Sequence, residues 1–223
     1  MSIMPPPEAF RTAGSDASVS MILALGSTLG VAGHRYLATL DATRATTPRE
    51  TIADAVHFLC MLHGGRPSVP EDVADRLGAD APWLTQAAEG FAGERAYLAR
   101  LVVDAGPMPS GARQLAAEQA VQQQRQAMLT LARSERDGCA PGASLALLID
   151  WYALRPVLDK MAIRIGVDPA PVLLPEPSDL YAQALLLDSE PRRSRAAQFA
   201  AQQMFAQHYA LFDLLEGRNA ARR

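Results

Sequence analysis

Apolar residues recur every three to four positions in long segments of the chain, and no segment alternates apolar and polar residues with the period of a strand. Cap signals open these segments and glycines close them. Thr47 and Ser68 each begin a Ser/Thr-x-x-Glu capping box, with a proline one residue after Thr47 and two residues after Ser68. The pattern predicts an all-α protein. The predicted helices are 16 or 18–44, 47–64, 68–78, 81–106, 110–138, 141–166, 178–187 and 190–217.

The connections between the long predicted helices are mostly short, which favours antiparallel neighbours. We therefore expect an antiparallel helical bundle of about five long helices plus short helices. Residues 168–177 carry four prolines and should cross the surface as an extended strap. Residues 1–15 are predicted to be a disordered lead, 16–217 a single bundle domain and 218–223 a flexible tail.

Composition limits the partners and the compartment. The 223 residues carry a formal net charge of −3, so the chain has no general attraction to nucleic acid or to anionic membranes. Cys60 and Cys139 form no metal-binding or disulfide pattern, which favours reduced thiols in the cytoplasm. Lys160 is the only lysine among many arginines, a bias that suggests a GC-rich bacterium.

The apolar run from Val19 to Gly33 allows two interpretations. It could be a core helix or a targeting segment. It is shorter than a membrane span, contains three glycines and has no clear positive charge upstream. We therefore expect a core helix, and its small-residue face around Gly26 and Gly30 should let another element approach closely.

Asp150 is the most informative residue of the sequence, because it lies within the longest strongly apolar stretch, residues 142–154. A carboxylate in such a helix must find a partner, since an unpaired buried charge is strongly destabilising. Pro156, six residues further on, should bend this helix just after Trp151.

Helices joined by tight turns can be matched in height, since each residue rises about 1.5 Å. This matching places Glu94 level with Gln122, and Asp150 within about a turn of Arg125. The polar run 122–126 covers every side of its helix, so at least one member should face inward. Two interpretations follow. The layer could be a ligand cavity, or it could be a closed structural network in which an arginine neutralises Asp150. We favour the structural network. The candidate residues are Glu94, Gln122, Arg125, Asp150, Trp151 and Arg155.

A metal site is a weaker hypothesis. Asp54 and His57 lie on one helical face, and His34 is matched to the same height across a turn. Ferritin-like bundles use two Glu-x-x-His motifs and further glutamates, whereas this chain has no Glu-x-x-His at all. The likeness is confined to helix number and one degenerate motif, so we expect no metal and no other cofactor.

The last helix carries a stripe of aromatic residues, which is typical of a core or a dimer seam. Arginines in its first turn oppose the helix dipole and should seek an acid elsewhere. The favoured function is therefore a non-catalytic interaction or structural protein, and the alternative is a small-molecule binder or enzyme that uses the cavity at Asp150. No nucleotide, hydrolase or zinc-protease motif is present. The residues of the stripe are Phe199, Phe205, Tyr209 and Phe212.

Overall fold

The computed structural model describes residues 20–40, 47–110 and 114–222 and confirms the all-α class. Within these residues nine α-helices and one short 3-10 turn at Val31–Gly33 pack into a helical bundle. The helices are α1 Met21–Leu29, α2 Arg35–Thr39, α3 Arg49–His63, α4 Val69–Leu77, α5 Pro82–Ala105, α6 Gln114–Ala132, α7 Cys139–Ile165, α8 Pro177–Asp188 and α9 Pro191–Ala220.

Helix α7 is the central element, and its first thirteen residues, 139–151, are all buried. A helix that is apolar on every side has no face to give to water, so other helices must surround it. α9 packs along it in the same direction. Gly142 has room only for a hydrogen against the backbone of Ala197, and four residues earlier Gly138 meets Arg193 in the same way. This close crossing of α7 and α9 fixes the relative height of the two helices.

Several predicted boundaries are confirmed. Ser68 and Glu71 form a reciprocal capping box at the start of α4. α5 begins at Pro82, and Gly106, which follows its last residue, has a φ of 85°. Residues 167–176 contain no helix, as the prolines predict. At Thr47 the prediction differs from the structure. The cap of α3 is Pro48, and the hydroxyl of Thr47 donates to the carbonyl of Thr39 instead.

The single helix predicted from residue 16 or 18 to 44 is wrong. α1 ends at Leu29, where Gly30 adopts an extended conformation, and a 3-10 turn follows. His34 then caps the short helix α2 by accepting the N–H of Tyr36. The apolar period continues through this break, but the backbone turns because Asp150 binds it there, as described below.

The carboxyl-terminal boundary of the bundle also differs from expectation. α9 continues to Ala220, three residues beyond Gly217. Arg218 and Arg222, from the predicted tail, both pair with the buried carboxylate of Asp54. The predicted lead, residues 1–15, and the segment just after the predicted cap Ser110 lie outside the described residues. No helix of the described ranges is both long and apolar enough for a bilayer crossing.

Candidate functional site

Asp150 is enclosed at the centre of the bundle, where only 2% of its surface is exposed. Its Oδ1 accepts the backbone N–H of Val31 at 2.9 Å, and its Oδ2 lies 2.8 Å from Nδ1 of His208. An ionised carboxylate can only accept hydrogen bonds, so with Asp150 charged Nδ1 of His208 must carry the proton. Asp150 and His208 are called the aspartate–histidine pair below.

The turn after α1 brings the N–H of Val31 to the carboxylate. Gly30 allows this approach, because a Cβ there would lie 2.5 Å from Oδ1 of Asp150 and would also collide with the carbonyl of Gly26. Glycine is therefore required for close approach at this position. Asp150 thus holds three elements together, α7, α9 and the 3-10 turn.

The second ring nitrogen of His208, Nε2, is buried and has no hydrogen-bond partner among the residues that the structure describes. His208 lines a cavity of about 10 Å³, together with His63, Trp151 and Leu154. A space of this size admits about one water molecule and nothing larger. The rings of His63 and His208 are 5.0 Å apart between centroids.

Burial is the main influence on the pKa values of His63 and Asp150. Burial, together with the nearby His208 imidazole and the Arg125 guanidinium, holds the pKa of His63 well below its usual range, so His63 is neutral. Burial raises the pKa of Asp150, while its hydrogen bonds from His208 and Val31 act in the opposite direction. The environment is thus dry enough to disfavour charge on both residues.

A second buried network, the Glu94 cluster, lies one side chain further along α7 and comprises Glu94, Tyr97, Trp151, Arg155 and Asp159. Glu94 accepts the indole N–H of Trp151 at 2.9 Å and a guanidinium N–H of Arg155 at 2.7 Å. Asp159 accepts from Arg155 and from the hydroxyl of Tyr97, both at 2.9 Å. Every charge in the cluster has a partner, which is how structural ionic layers are built.

Arg155 links the Glu94 cluster to the strap and, within the cluster, contacts the ring of Tyr97. Its third nitrogen donates to the carbonyl of Ala170 in the strap, and its guanidinium lies 4.5 Å from the centre of the Tyr97 ring. Burial raises the pKa of Glu94, and the bonds from Trp151 and Arg155 oppose that change. The predicted pairing of Arg155 with Asp159, four residues apart, is present.

The structure therefore divides the candidate residues into separate groups. Glu94, Trp151 and Arg155 come together, and Asp150 lies beside them with its own partner. Arg125 donates instead to the carbonyl of Pro67 at 3.0 Å, on the loop between α3 and α4. Gln122 is exposed on α6. The carboxylate of Asp150 is hydrogen-bonded to His208 and to the backbone N–H of Val31, and Arg125 is not its partner.

The weak metal candidates do not assemble. Asp54 pairs with Arg218 and Arg222, His57 lies 2.8 Å from the carbonyl of Gly106, and His34 contacts Asp213. Each side chain is occupied by a different part of the bundle. The reason is that the histidines were matched by height alone, which says nothing about the direction in which a side chain points.

His34, Asp213 and Glu216 do lie close enough to suggest three metal ligands. The hydrogen bonds argue against that use. Nδ1 of His34 accepts the N–H of Tyr36, so in the neutral ring Nε2 carries the proton that it donates to Asp213. A metal ion at Nε2 needs a lone pair there and would break the cap of α2. Glu216 is in addition paired with Arg35.

The aromatic stripe of α9 is also divided. Phe205 and Phe212 are buried in the core, which is one of the two roles predicted for the stripe, so their side chains are not available to a partner. Phe199 and Tyr209 remain 47% and 37% exposed. Tyr209 lines a groove of about 410 Å³ between α1 and α9, together with Leu29, Ala206, Ala210 and three polar residues, Thr28, Gln202 and Asp213.

A protein-family model matches residues 27–223, which include both buried networks and all of α9. The chain belongs to the family of unknown function DUF6975. Comparison with curated proteins gave no match, and neither did comparison with solved structures. The DUF6975 match therefore brings no activity with it, and function has to be argued from geometry.

Proposed function

We propose that this DUF6975 protein is a non-catalytic interaction protein that binds a polypeptide through the outer face of α9. One observation carries the proposal: the acids and bases that could perform chemistry are enclosed. Asp150 and Glu94 are each 2% exposed, and the space beside His208 is about 10 Å³. A small-molecule site ordinarily measures some 300 Å³ or more.

The Glu94 cluster and the aspartate–histidine pair then hold the helices in register. Each joins elements far apart in sequence: Glu94 links α5 to α7, and Asp150 links α7 to α9. A buried network whose charges are all paired, as they are in the Glu94 cluster, specifies one arrangement of a core. On the sequence grounds given above, we propose that the protein is a single helical domain and that it acts in a bacterial cytoplasm.

Exposed aromatic side chains support the interaction half of the proposal. Phe199 and Tyr209 are both exposed on the longest described helix, and Tyr209 lines the groove between α1 and α9. Aromatic residues are enriched at protein interfaces because they bury much area at small entropic cost.

The alternative, a small-molecule binder, is favoured by one feature, the Nε2 of His208, which no described residue contacts by a hydrogen bond. Native mass spectrometry of protein purified from its own host separates the two functions. We expect masses of the polypeptide and its assemblies alone, for the wild type and for Asp150→Asn. A small molecule or metal that travels with the wild type and is lost from Asp150→Asn would overturn the proposal.

A further inference from the structure

The outer face of α9 carries a regular stripe of exposed side chains. Their spacing alternates strictly between three and four residues, which is the repeat of a coiled-coil seam. Seven of the eight are exposed and Glu216 is partly exposed. The α9 stripe consists of Arg192, Arg195, Phe199, Gln202, Ala206, Tyr209, Asp213 and Glu216.

Opposite charges lie at the two ends of the α9 stripe. Its first two members are basic, its last two are acidic, and the four between them carry no charge. Arg192 and Arg195 have no ion pair within the described residues. Asp213 contacts His34 through one oxygen, yet its side chain is 62% exposed. The two ends of the stripe are therefore complementary to each other.

We propose that the α9 stripe binds the α9 stripe of a second copy of this chain, in antiparallel orientation about a two-fold axis near residue 204. This inference rests on the proposed function and names the partner. Matching heights in that arrangement place Arg192 against Glu216 and Arg195 against Asp213. A parallel pairing would instead set like charges against each other.

The centre of the α9 stripe fits the same arrangement. Phe199 of one copy meets Tyr209 of the other, and Gln202 meets Ala206. The groove between α1 and α9 begins at this level, so Phe199 of the second copy enters it beside Tyr209 and Leu29. A small residue opposite a longer one lets the helices approach, and a polar residue at the seam favours one register.

Charge reversal tests the pairing. At about 100 μM, well above micromolar dissociation constants, we expect light scattering to give a dimer mass for the wild type. Asp213→Arg should weaken association roughly tenfold or more, because it sets an arginine against Arg195 at both symmetry-related places in the dimer. Arg195→Asp/Asp213→Arg should restore it. Both variants lose the contact with His34, so only the seam distinguishes them.

The matched control exchanges an exposed ion pair on another surface, Arg133 with Asp72. Arg133→Asp/Asp72→Arg should leave the dimer unchanged. Ala206→Glu gives a second test at an exposed position where folding is not at risk, and it should yield monomers. A monomeric wild type, or a double reversal that fails to restore the dimer, overturns the inference.

A photo-crosslinker in place of Ala206, used in the native host, separates this inference from the proposed function. A crosslink to a second copy supports both. A crosslink to a different protein overturns the second copy as partner and leaves the interaction function standing. No crosslink at all overturns both. The same crosslinker in place of Val103, which is 79% exposed on α5, controls for random encounters.

Discussion

Asp150 and His208 meet across the two longest described helices, with 2.8 Å between Oδ2 and Nδ1. They lie 58 positions apart in sequence and are 2% and 4% exposed. The contact joins a carboxylate whose pKa is raised by burial to an imidazole whose other nitrogen has no hydrogen-bond partner in the described part of the chain. The stability of the bundle should depend on both groups together.

Removing both members of this pair should cost less than the sum of the two single removals. Asp150→Leu strands the buried imidazole, and His208→Leu leaves the carboxylate without one of its two donors. We expect each single variant to lose about 3–5 kcal/mol of unfolding free energy. The double variant should be more stable than the sum of the single losses predicts, by roughly 0.5–3 kcal/mol. Urea unfolding followed by tryptophan fluorescence measures all four proteins, and strict additivity would contradict the coupling.

Gly30 should resist substitution although it lies outside any helix. In Gly30→Ala the new Cβ meets Oδ1 of Asp150 at 2.5 Å, so the turn must move away from the carboxylate. We expect a loss of about 1–3 kcal/mol. Gly33→Ala is the matched control, because a Cβ there meets nothing within 4 Å. Thermal unfolding of the two variants should show a lowered midpoint for Gly30→Ala alone, and equal midpoints would contradict the close approach.

The Glu94 cluster should contribute far more to stability than a surface ion pair. Arg155→Met leaves Glu94 charged and buried without its cation, for an expected loss of about 3–5 kcal/mol. Arg133→Met removes the exposed pair with Asp72 and should cost less than about 1 kcal/mol. Chemical unfolding compares the two. Similar losses would mean that water reaches Glu94.

His63 should make the protein less stable in mild acid. Its pKa is lowered in the fold, whereas in the unfolded chain it takes a proton near pH 6.5. Below about that pH the unfolded state binds more protons, so stability falls as pH falls, by at most about 1.4 kcal/mol per pH unit from this one group. The raised pKa values of Asp150 and Glu94 act with the opposite sign, because there the folded chain holds the extra proton.

A comparison with His63→Gln isolates this effect, since both carboxyl groups are present in each protein. The stability of the wild type should fall more steeply than that of the variant between about pH 7 and pH 5. Unfolding free energies measured by urea titration at several pH values give the two slopes. Parallel profiles would show that His63 takes up its proton as easily in the fold as in the unfolded chain.

The sequence predicted the helices better than their contacts. Periodicity and caps located seven of the eight predicted segments, because both signals are local. The break at Gly30 was missed, since its cause is a carboxylate 120 residues away. An apolar pattern that runs through a turn is the same in a straight helix and in a bent one.

The partner of Asp150 was missed for a geometric reason. Matching heights across tight turns relates α6 to α7, but α7 and α9 run in the same direction and are joined through the strap and α8. The relative height of α7 and α9 follows instead from the contacts of Gly138 with Arg193 and of Gly142 with Ala197. With that offset in hand, Asp150 falls close to the height of His208. The small residues of these two long helices were the signal in the sequence that could have indicated their close packing and relative height.

Asp54 has a practical consequence for anyone who handles this protein. Its carboxylate is 1% exposed, and both of its cations, Arg218 and Arg222, come from the last turns of the chain. Trimming the polypeptide after Gly217 would leave a buried negative charge without a counter-ion, a loss of about 3–5 kcal/mol. A shortened version of the protein for crystallisation should therefore keep every residue through Arg222.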